Sequence, residues 1–245
     1  MAKIFTEMKY YYLITIFTLF SCVNSFGQGI MERIKLTADD TETEKFDRIA
    51  IDIKSDQWLN APNGVKTELY SIGVSAFFYK DIPLSKKSNI AFAFGLGLTS
   101  DNIHHNGIFT TSSNNPENKS YTSLIPYKKK YRINKITLNY IEVPVELRFR
   151  TMNKSMEERQ RFNFRFYPGF KIGYLMGNHT KLTDNTTKIK VYRTPNTLAY
   201  RYGPTLRIGF NKVSFVAFYS LSGIFEKGKG EELNTFSLGI SWMRF

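Results

Sequence analysis

The stretch 162–177 alternates between two kinds of residue. Phe162, Phe164, Phe166, Pro168, Phe170, Ile172, Tyr174 and Met176 fall on one parity, and Asn163, Arg165, Tyr167, Gly169, Lys171, Gly173, Leu175 and Gly177 on the other. A two-residue period is that of a strand, whose successive side chains point to opposite faces. Sixteen such residues reach roughly 50 Å, whereas a tilted strand crosses hydrocarbon in about nine to eleven. The surplus would project beyond a bilayer. The same alternation recurs at 48–53, 65–80, 89–100, 133–150, 198–210, 213–221 and 234–245, which makes eight predicted strands. Connections 55–64, 101–132, 178–195 and 223–233 alternate with the turns 81–87, 151–161 and Asn211-Lys212. An even number of alternating strands with a long-loop end and a short-turn end predicts an all-β fold, an eight-stranded antiparallel up-and-down transmembrane β-barrel. Within 133–150 the apolar parity runs Ile136, Leu138, Tyr140 and then Ile141, Val143, Val145, so a bulge is expected near Tyr140. Pro144, Pro168 and Pro204 each remove a ladder donor, and further bulges are expected to absorb them.

Residue types decide which face points inward. Gly73, Gly95, Gly97, Gly169, Gly173, Gly203 and Gly209 share the polar parity. Glycine weakens a strand and is useful where space is short, so the polar face is predicted to line a narrow lumen. Arg48, Asp52, Glu68, Glu142, Glu146, Arg148, Arg150, Arg165, Lys171, Arg201 and Arg207 then form an interior ion-pair network, since an unpaired buried charge is costly. Eight strands leave an interior filled by side chains, and the barrel is expected to conduct nothing. The apolar face meets lipid. Tyr70, Tyr140, Tyr174, Tyr200 and Tyr219 are predicted to ring it near the long loops, and Phe78, Phe149, Phe162, Phe210 and Trp242 near the short turns. An exported soluble carrier with its apolar face inward is the alternative reading of the same alternation.

Composition adds an address. Mean hydropathy is −0.30 despite 21 Phe and 15 Tyr, as expected where half of each strand is polar. Lys3 and Lys9, the apolar run 10–20 and the small residues of Ser25-Phe26-Gly27 before Gln28 form an export signal, with Met8 an alternative start. The expected organisation is a signal peptide at 1–27, a polar periplasmic lead-in at 28–46 and the barrel at 47–245. Cys22 is the only cysteine, so the mature chain has no disulfide unless Leu19-Phe20-Ser21-Cys22 is a lipidation box. Removing Lys3, Lys9 and Glu7 lowers the net charge from +13 to about +12. For an exported barrel that charge points to outer-membrane lipid and lipopolysaccharide, not to nucleic acid.

Candidate chemistry is sparse. His104 and His105 follow Ser100 and Asp101 at one strand end and His179 opens a loop, so rim histidines of a lipid-modifying enzyme are one reading and solvated loop residues the other. Glu142 and Glu146 share a parity, and interior partners for Arg148 and Arg150 are their simpler role. Lys128-Lys129-Lys130 lies in a loop near the expected membrane surface, where anionic headgroups would attract it. No phosphate loop, zinc spacing or dinucleotide fingerprint occurs, so no cofactor or metal is expected.

The signal ending Ser25-Phe26-Gly27-Gln28, the eight alternating segments and the terminal Phe245 together resemble the small outer-membrane β-barrel family of the Bacteroidota, often called PorT-like. That resemblance implies a C-terminal assembly signal at Phe245, although the apolar parity of the last strand ends at Trp242. It implies no common enzymatic activity and no catalytic residue. The expectation is a non-enzymatic barrel, structural or accessory to a larger outer-membrane complex of other outer-membrane or periplasmic proteins, including one for protein secretion or assembly.

Overall fold

The alternating segments become strands in the computed structural model, which describes residues 48–84, 89–112, 120–151 and 164–244. The export segment with Cys22, the 28–46 lead-in, Phe162 and Phe245 lie outside the described residues. Eleven strands follow in order: β1 (Ile49–Leu59), β2 (Ile72–Pro83), β3 (Ile90–His104), β4 (Gly107–Ser112), β5 (Tyr121–Pro126), β6 (Tyr131–Arg150), β7 (Phe164–Asp184), β8 (Lys188–Tyr192), β9 (Tyr200–Phe210), β10 (Val213–Gly223) and β11 (Asn234–Arg244). Eight of them, β1, β2, β3, β6, β7, β9, β10 and β11, form an antiparallel ring that the β6–β7 ladder closes, and β7 pairs with β8 besides. Closure leaves no edge to be satisfied by water that a bilayer lacks.

The stagger of that ring sets its dimensions. The ladder passes from Ser100 through Val74, Ile53, Ile240, Phe215, Ile208, Phe166 and Phe149 to Ile90, back on β3 and ten residues away. Eight strands with that stagger tilt by about 40° and place the backbone about 8 Å from the axis. On β7 the outward residues from Phe164 to Tyr174 cover about 33 Å of strand, or about 25 Å of height at this tilt. That equals the apolar band of an outer-membrane barrel. The exposed side chains at this level, among them Ile53, Val74, Leu96, Ile172, Phe215 and Ile240, are the apolar parity of each strand. No helix among the described residues is long and apolar enough to span a membrane; the strands do so.

Several expectations are corrected. The 101–132 segment is not one loop: β3 continues to His104, and β4 and β5 form a hairpin. The 178–195 segment extends β7 and adds β8 beside it. Strand two starts at Ile72 instead of Val65, so Glu68 sits half-buried in a turn outside the interior network. Arg48 has the inward parity but precedes β1 at the rim and is exposed. β6 keeps one parity throughout, with Ile136, Leu138, Tyr140, Glu142 and Glu146 all buried inside. Its lumen-facing residues turn from apolar to charged, which imitates a parity slip. The irregularity opposite Tyr140 belongs to β7, where Asn139 pairs with Gly177 and Tyr140 with Leu175, leaving Met176 as the extra residue. Tyr140 is 3% exposed and leaves the aromatic girdle. Tyr70, Tyr174, Tyr200 and Tyr219 remain outward near the long loops, and Phe78, Phe149, Phe210 and Trp242 near the short turns. Tyr174 and Tyr200 are in ring contact at 5.3 Å.

The prolines open gaps instead of bulges. Pro144 faces an interruption of the β3–β6 ladder between Phe94–Val145 and Gly97–Glu142, and Pro168 faces one of the β6–β7 ladder between Glu146–Gly169 and Phe149–Phe166. The β9–β10 ladder stops at Phe218–Thr205, just before Pro204. Register is the same on both sides of the gaps at Pro144 and Pro168. A strand residue donates its N–H to one neighbour only, so proline loosens one side and leaves the other paired.

Close backbone approach explains the glycine face. A Cβ on Gly203 would overlap the carbonyl oxygen of Tyr219, and one on Gly97 would meet the ring of Phe77 and the Ala76 carbonyl. Gly203→Ala is expected to destabilise the folded barrel by about 1–3 kcal/mol. The check is the urea midpoint of the detergent-folded protein, followed by its heat-modifiable gel migration.

Candidate functional site: a sealed barrel interior

Inward residues come from alternate positions of all eight strands, and their charges assemble in two layers. In the layer nearer the short turns, Arg207 on β9 grips Asp52 on β1 through two bonds of 2.6 and 2.8 Å, and its Nε donates to Glu146 on β6 at 2.9 Å. Arg148 donates from Nε to the other oxygen of Glu146 at 2.9 Å and from Nη1 to Asp81 at 2.7 Å. Arg150 also pairs with Asp81 and donates to the Tyr167 hydroxyl at 2.7 Å. The Tyr79 hydroxyl donates to Glu146 at 2.8 Å. Arg165 is buried on β7 in the same region.

The second layer centres on Glu142 and Asp101. Glu142 accepts from Lys171 at 2.9 Å, from Arg201 at 2.8 Å and from the Thr99 hydroxyl at 2.5 Å. Asp101 pairs with Arg201 and, at 2.6 Å, with Lys54, which also lies 3.3 Å from Asp56. Aromatic faces complete the wall: Lys171 stands 3.9 Å from the ring centre of Phe218, and Arg201 3.7 Å from that of Tyr140. Bidentate, charge-assisted bonds of this kind offset the desolvation of each ion, which an unpaired charge would bear alone. Between the layers a cavity of about 10 Å³, bounded by Lys54, Tyr79, Lys171, Thr205 and Arg207, has room for one water molecule.

Of the residues expected inside, Asp52, Glu142, Glu146, Arg148, Arg150, Lys171, Arg201 and Arg207 meet in these layers, whereas Arg48 and Glu68 do not. Sequence reasoning missed Lys54, Asp56, Asp81 and Asp101 because it ended the first strand at Ile53, the second at Lys80 and the third at Ser100. Alternation through Asp52, Lys54, Asp56 and Trp58 was the signal that could have found the first two.

Above the charges, the long-loop end closes with an apolar cap. Trp58, Ile103, Ile136, Leu138, Phe225 and Leu233 are buried together, and Leu124 of β5 and Phe109 of β4 press onto them from the hairpin. Backbone and side-chain bonds tie that hairpin down: Thr122 N donates to the Lys229 carbonyl at 2.9 Å, and Asn196 Nδ2 to the Ser120 carbonyl at 3.0 Å.

The histidines do not converge. His105 is buried in the cap, its ring 5.0 Å from Trp58 and 5.3 Å from Phe109, with Nδ1 accepting the Gly107 N–H at 3.2 Å. His104 points outward against Tyr70 at 5.0 Å, and His179 outward against Tyr192 at 5.8 Å. Ser100 faces out while Asp101 is committed inside to Lys54 and Arg201, so Ser100, Asp101 and His104 form no common site. Among the described residues no group of His, Cys, Asp and Glu is arranged to hold a metal.

An antiparallel eight-stranded ring with an apolar exterior about 25 Å tall and an ion-paired interior defines a transmembrane barrel with a filled lumen. The chain matches the outer membrane protein beta-barrel domain family over residues 49–226 and belongs to that family. It is therefore an outer-membrane β-barrel protein. No curated protein and no solved structure compared with it matches.

Replacing Arg207 with Met strands Asp52 and deprives Glu146 of one partner, and is expected to cost about 3–5 kcal/mol. The double variant Asp52→Asn/Arg207→Met should recover part of the loss, because it removes the stranded charge; urea unfolding of both variants checks this. A second expectation concerns pH. Burial pushes the His105 imidazole down from 6.5 to about 3, with the neighbouring His104 adding to the shift. The unfolded chain therefore binds this proton first. The stability from a neutral His105 is complete above about pH 6.5 and falls as pH drops towards 3. Trp58 fluorescence in a Trp242→Phe background should report loosening of the cap over that range, and His105→Phe should flatten the response.

Proposed function

We propose that the protein is a non-enzymatic outer-membrane barrel that acts through its surface, as a structural element or an accessory subunit of a larger outer-membrane assembly. The observation that carries this reading is the filled lumen: among the described residues, two layers of ion pairs, one water-sized cavity and an apolar cap leave no path for a solute through the barrel and no substrate-sized pocket inside it. A wall crossed by salt bridges resists deformation, which suits a fixed platform more than a gate. The long-loop end supplies the partner surface, because its β4–β5 hairpin is held rigidly by Thr122 and Asn196 while Leu69, Ile125 and Tyr192 stay exposed. The PorT-like resemblance makes a protein-secretion assembly the first kind of complex to examine.

The separation of His104, His105 and His179, and of Ser100 from Asp101, supports this reading over a lipid-modifying enzyme. A filled polar interior likewise supports it over a lipophilic carrier.

Two measurements test the proposal. Mild-detergent purification of the tagged protein from its native outer membrane should bring down a stoichiometric partner, identified by mass spectrometry; a protein that is always alone would remove the accessory role. In planar bilayers the barrel should carry no steady current, and a persistent ohmic conductance would overturn the closed lumen.

A further inference from the structure

The outer face of the barrel changes character above the lipid band on β6, β7 and β8. β6, β7 and β8 rise past their neighbours as a three-stranded wing, and their outward residues lie in register with those of β3. One cross-strand row reads Asn102, Thr137, His179 and Tyr192; the next reads His104, Lys135, Lys181 and Lys190. Lys188, opposite Thr183, extends the same face. Lys135 donates to Asn102 at 2.8 Å, and Thr137 to the same oxygen at 3.0 Å. Among the described residues none of these four lysines has a carboxylate partner. The nearest acids are engaged or peripheral: Asp184 is held by Tyr127 at 2.7 Å and by the turn at Thr186 and Thr187, and Glu68 flanks only His104.

Such a face is costly to leave alone, since cross-strand like charges repel. An anion placed against it would remove that repulsion. Its position says which anion. Lys135 lies six residues beyond Ile141, the last lipid-facing residue of β6, which is about 20 Å of strand and about 15 Å of height at a 40° tilt. The headgroup layer of a phospholipid is only about 5–8 Å thick. The row is therefore too high for a glycerophosphate and at the right level for a phosphate carried upward on sugars.

We infer that the Lys135, Lys181 and Lys190 row, with His179 beside it and Asn102 holding the Lys135 ammonium in place, binds the phosphoryl groups of a phosphorylated glycolipid of the outer leaflet. Lys190 lies 4.5 Å from the ring centre of Tyr192, which is exposed beside the row, as Tyr174 and Tyr200 are below it. The inference rests on the membrane placement of the barrel and is independent of whether the lumen conducts. It names the lipid that would sit at this wing and orient the protein in an assembly.

The test uses the full chain folded in mild detergent, titrated with purified lipopolysaccharide bearing a phosphorylated core, with the same material after dephosphorylation, and with phosphatidylglycerol. The triple variant Lys135→Gln/Lys181→Gln/Lys190→Gln is compared with Lys128→Gln/Lys129→Gln/Lys130→Gln, which removes equal charge from the same end of the barrel. Heat-modifiable migration selects folded protein in every case. The wing variant is expected to lose at least tenfold in affinity for the phosphorylated glycolipid at low salt, the loop variant less than about twofold. Wild-type protein should bind the dephosphorylated lipid and phosphatidylglycerol at least tenfold more weakly than the phosphorylated glycolipid. Equal losses in the two variants would overturn the site in favour of diffuse charge, and equal binding of phosphatidylglycerol would overturn the glycolipid as its ligand. Conductance of the wing variant in planar bilayers reads the lumen separately, so failure of the lipid site and failure of the closed barrel are distinguishable.

Discussion

Closure in a medium without water is the constraint on which the rest of this structure depends. Each strand in hydrocarbon must pair both of its edges, and the chain does so with eight strands staggered by ten residues. Those two integers leave no freedom in tilt or diameter. A backbone about 8 Å from the axis cannot hold a water column once side chains point inward, and neither can it hold large side chains at every position. Glycines at Gly73, Gly95, Gly97 and Gly203 follow from the second condition: each lies where an inward Cβ would strike a neighbour's side chain or carbonyl. The charge lattice follows from the first. Polar atoms in so narrow a space have only each other as partners.

The lattice and the cap divide the interior by what each region can exclude. Level with the hydrocarbon, inward ions share partners across strands, Glu142, Glu146, Asp81 and Asp101 each meeting two cations, whereas among the described residues Asp52 depends on Arg207 alone. Above it, where β6 and β7 outlast their neighbours, the lumen would open to solvent. There the inward parity of β6 turns apolar at Ile136 and Leu138, and the β4–β5 hairpin folds over to bury it. Arg201 joins the two regimes, paired with Glu142 and Asp101 below and lying against the Tyr140 ring above.

Strand number, topology and the inward face were legible in the sequence because a two-residue period survives wherever one face meets lipid. What escaped had local reasons. An apolar cap reverses the rule that apolar residues face out, so Tyr140 was assigned to the girdle and an inward run on β6 looked like a slip. Strand ends above the band lose the lipid contrast, which hid Lys54, Asp56 and Asp101 behind premature termini. Arg48 shows the converse: its parity was right, but the barrel begins one residue later. The prolines were legible as lost donors, yet a gap on one side of a strand needs no bulge. Of the wing, Lys135 lay in a recognised strand, but Lys181 and Lys190 lay in a predicted loop, and only the β6–β7–β8 register puts the three in one row.

The same register ties function to the exterior. A lumen filled by Arg207, Glu146, Arg201 and Glu142 cannot exchange its contents without breaking buried ion pairs, whereas the outer face carries two surfaces open to a partner. One is the apolar band, which any lipid satisfies. The other is the wing of lysines, repelling one another at a height no phospholipid headgroup reaches. A barrel that only anchors itself has no need of that second surface, because two aromatic girdles already fix its depth and tilt. A cross-strand row of lysines on β6, β7 and β8, by contrast, distinguishes rotations about the membrane normal. A lipid bound there would set which strands face a neighbouring protein, and that is a property a surface-acting barrel requires and a channel does not.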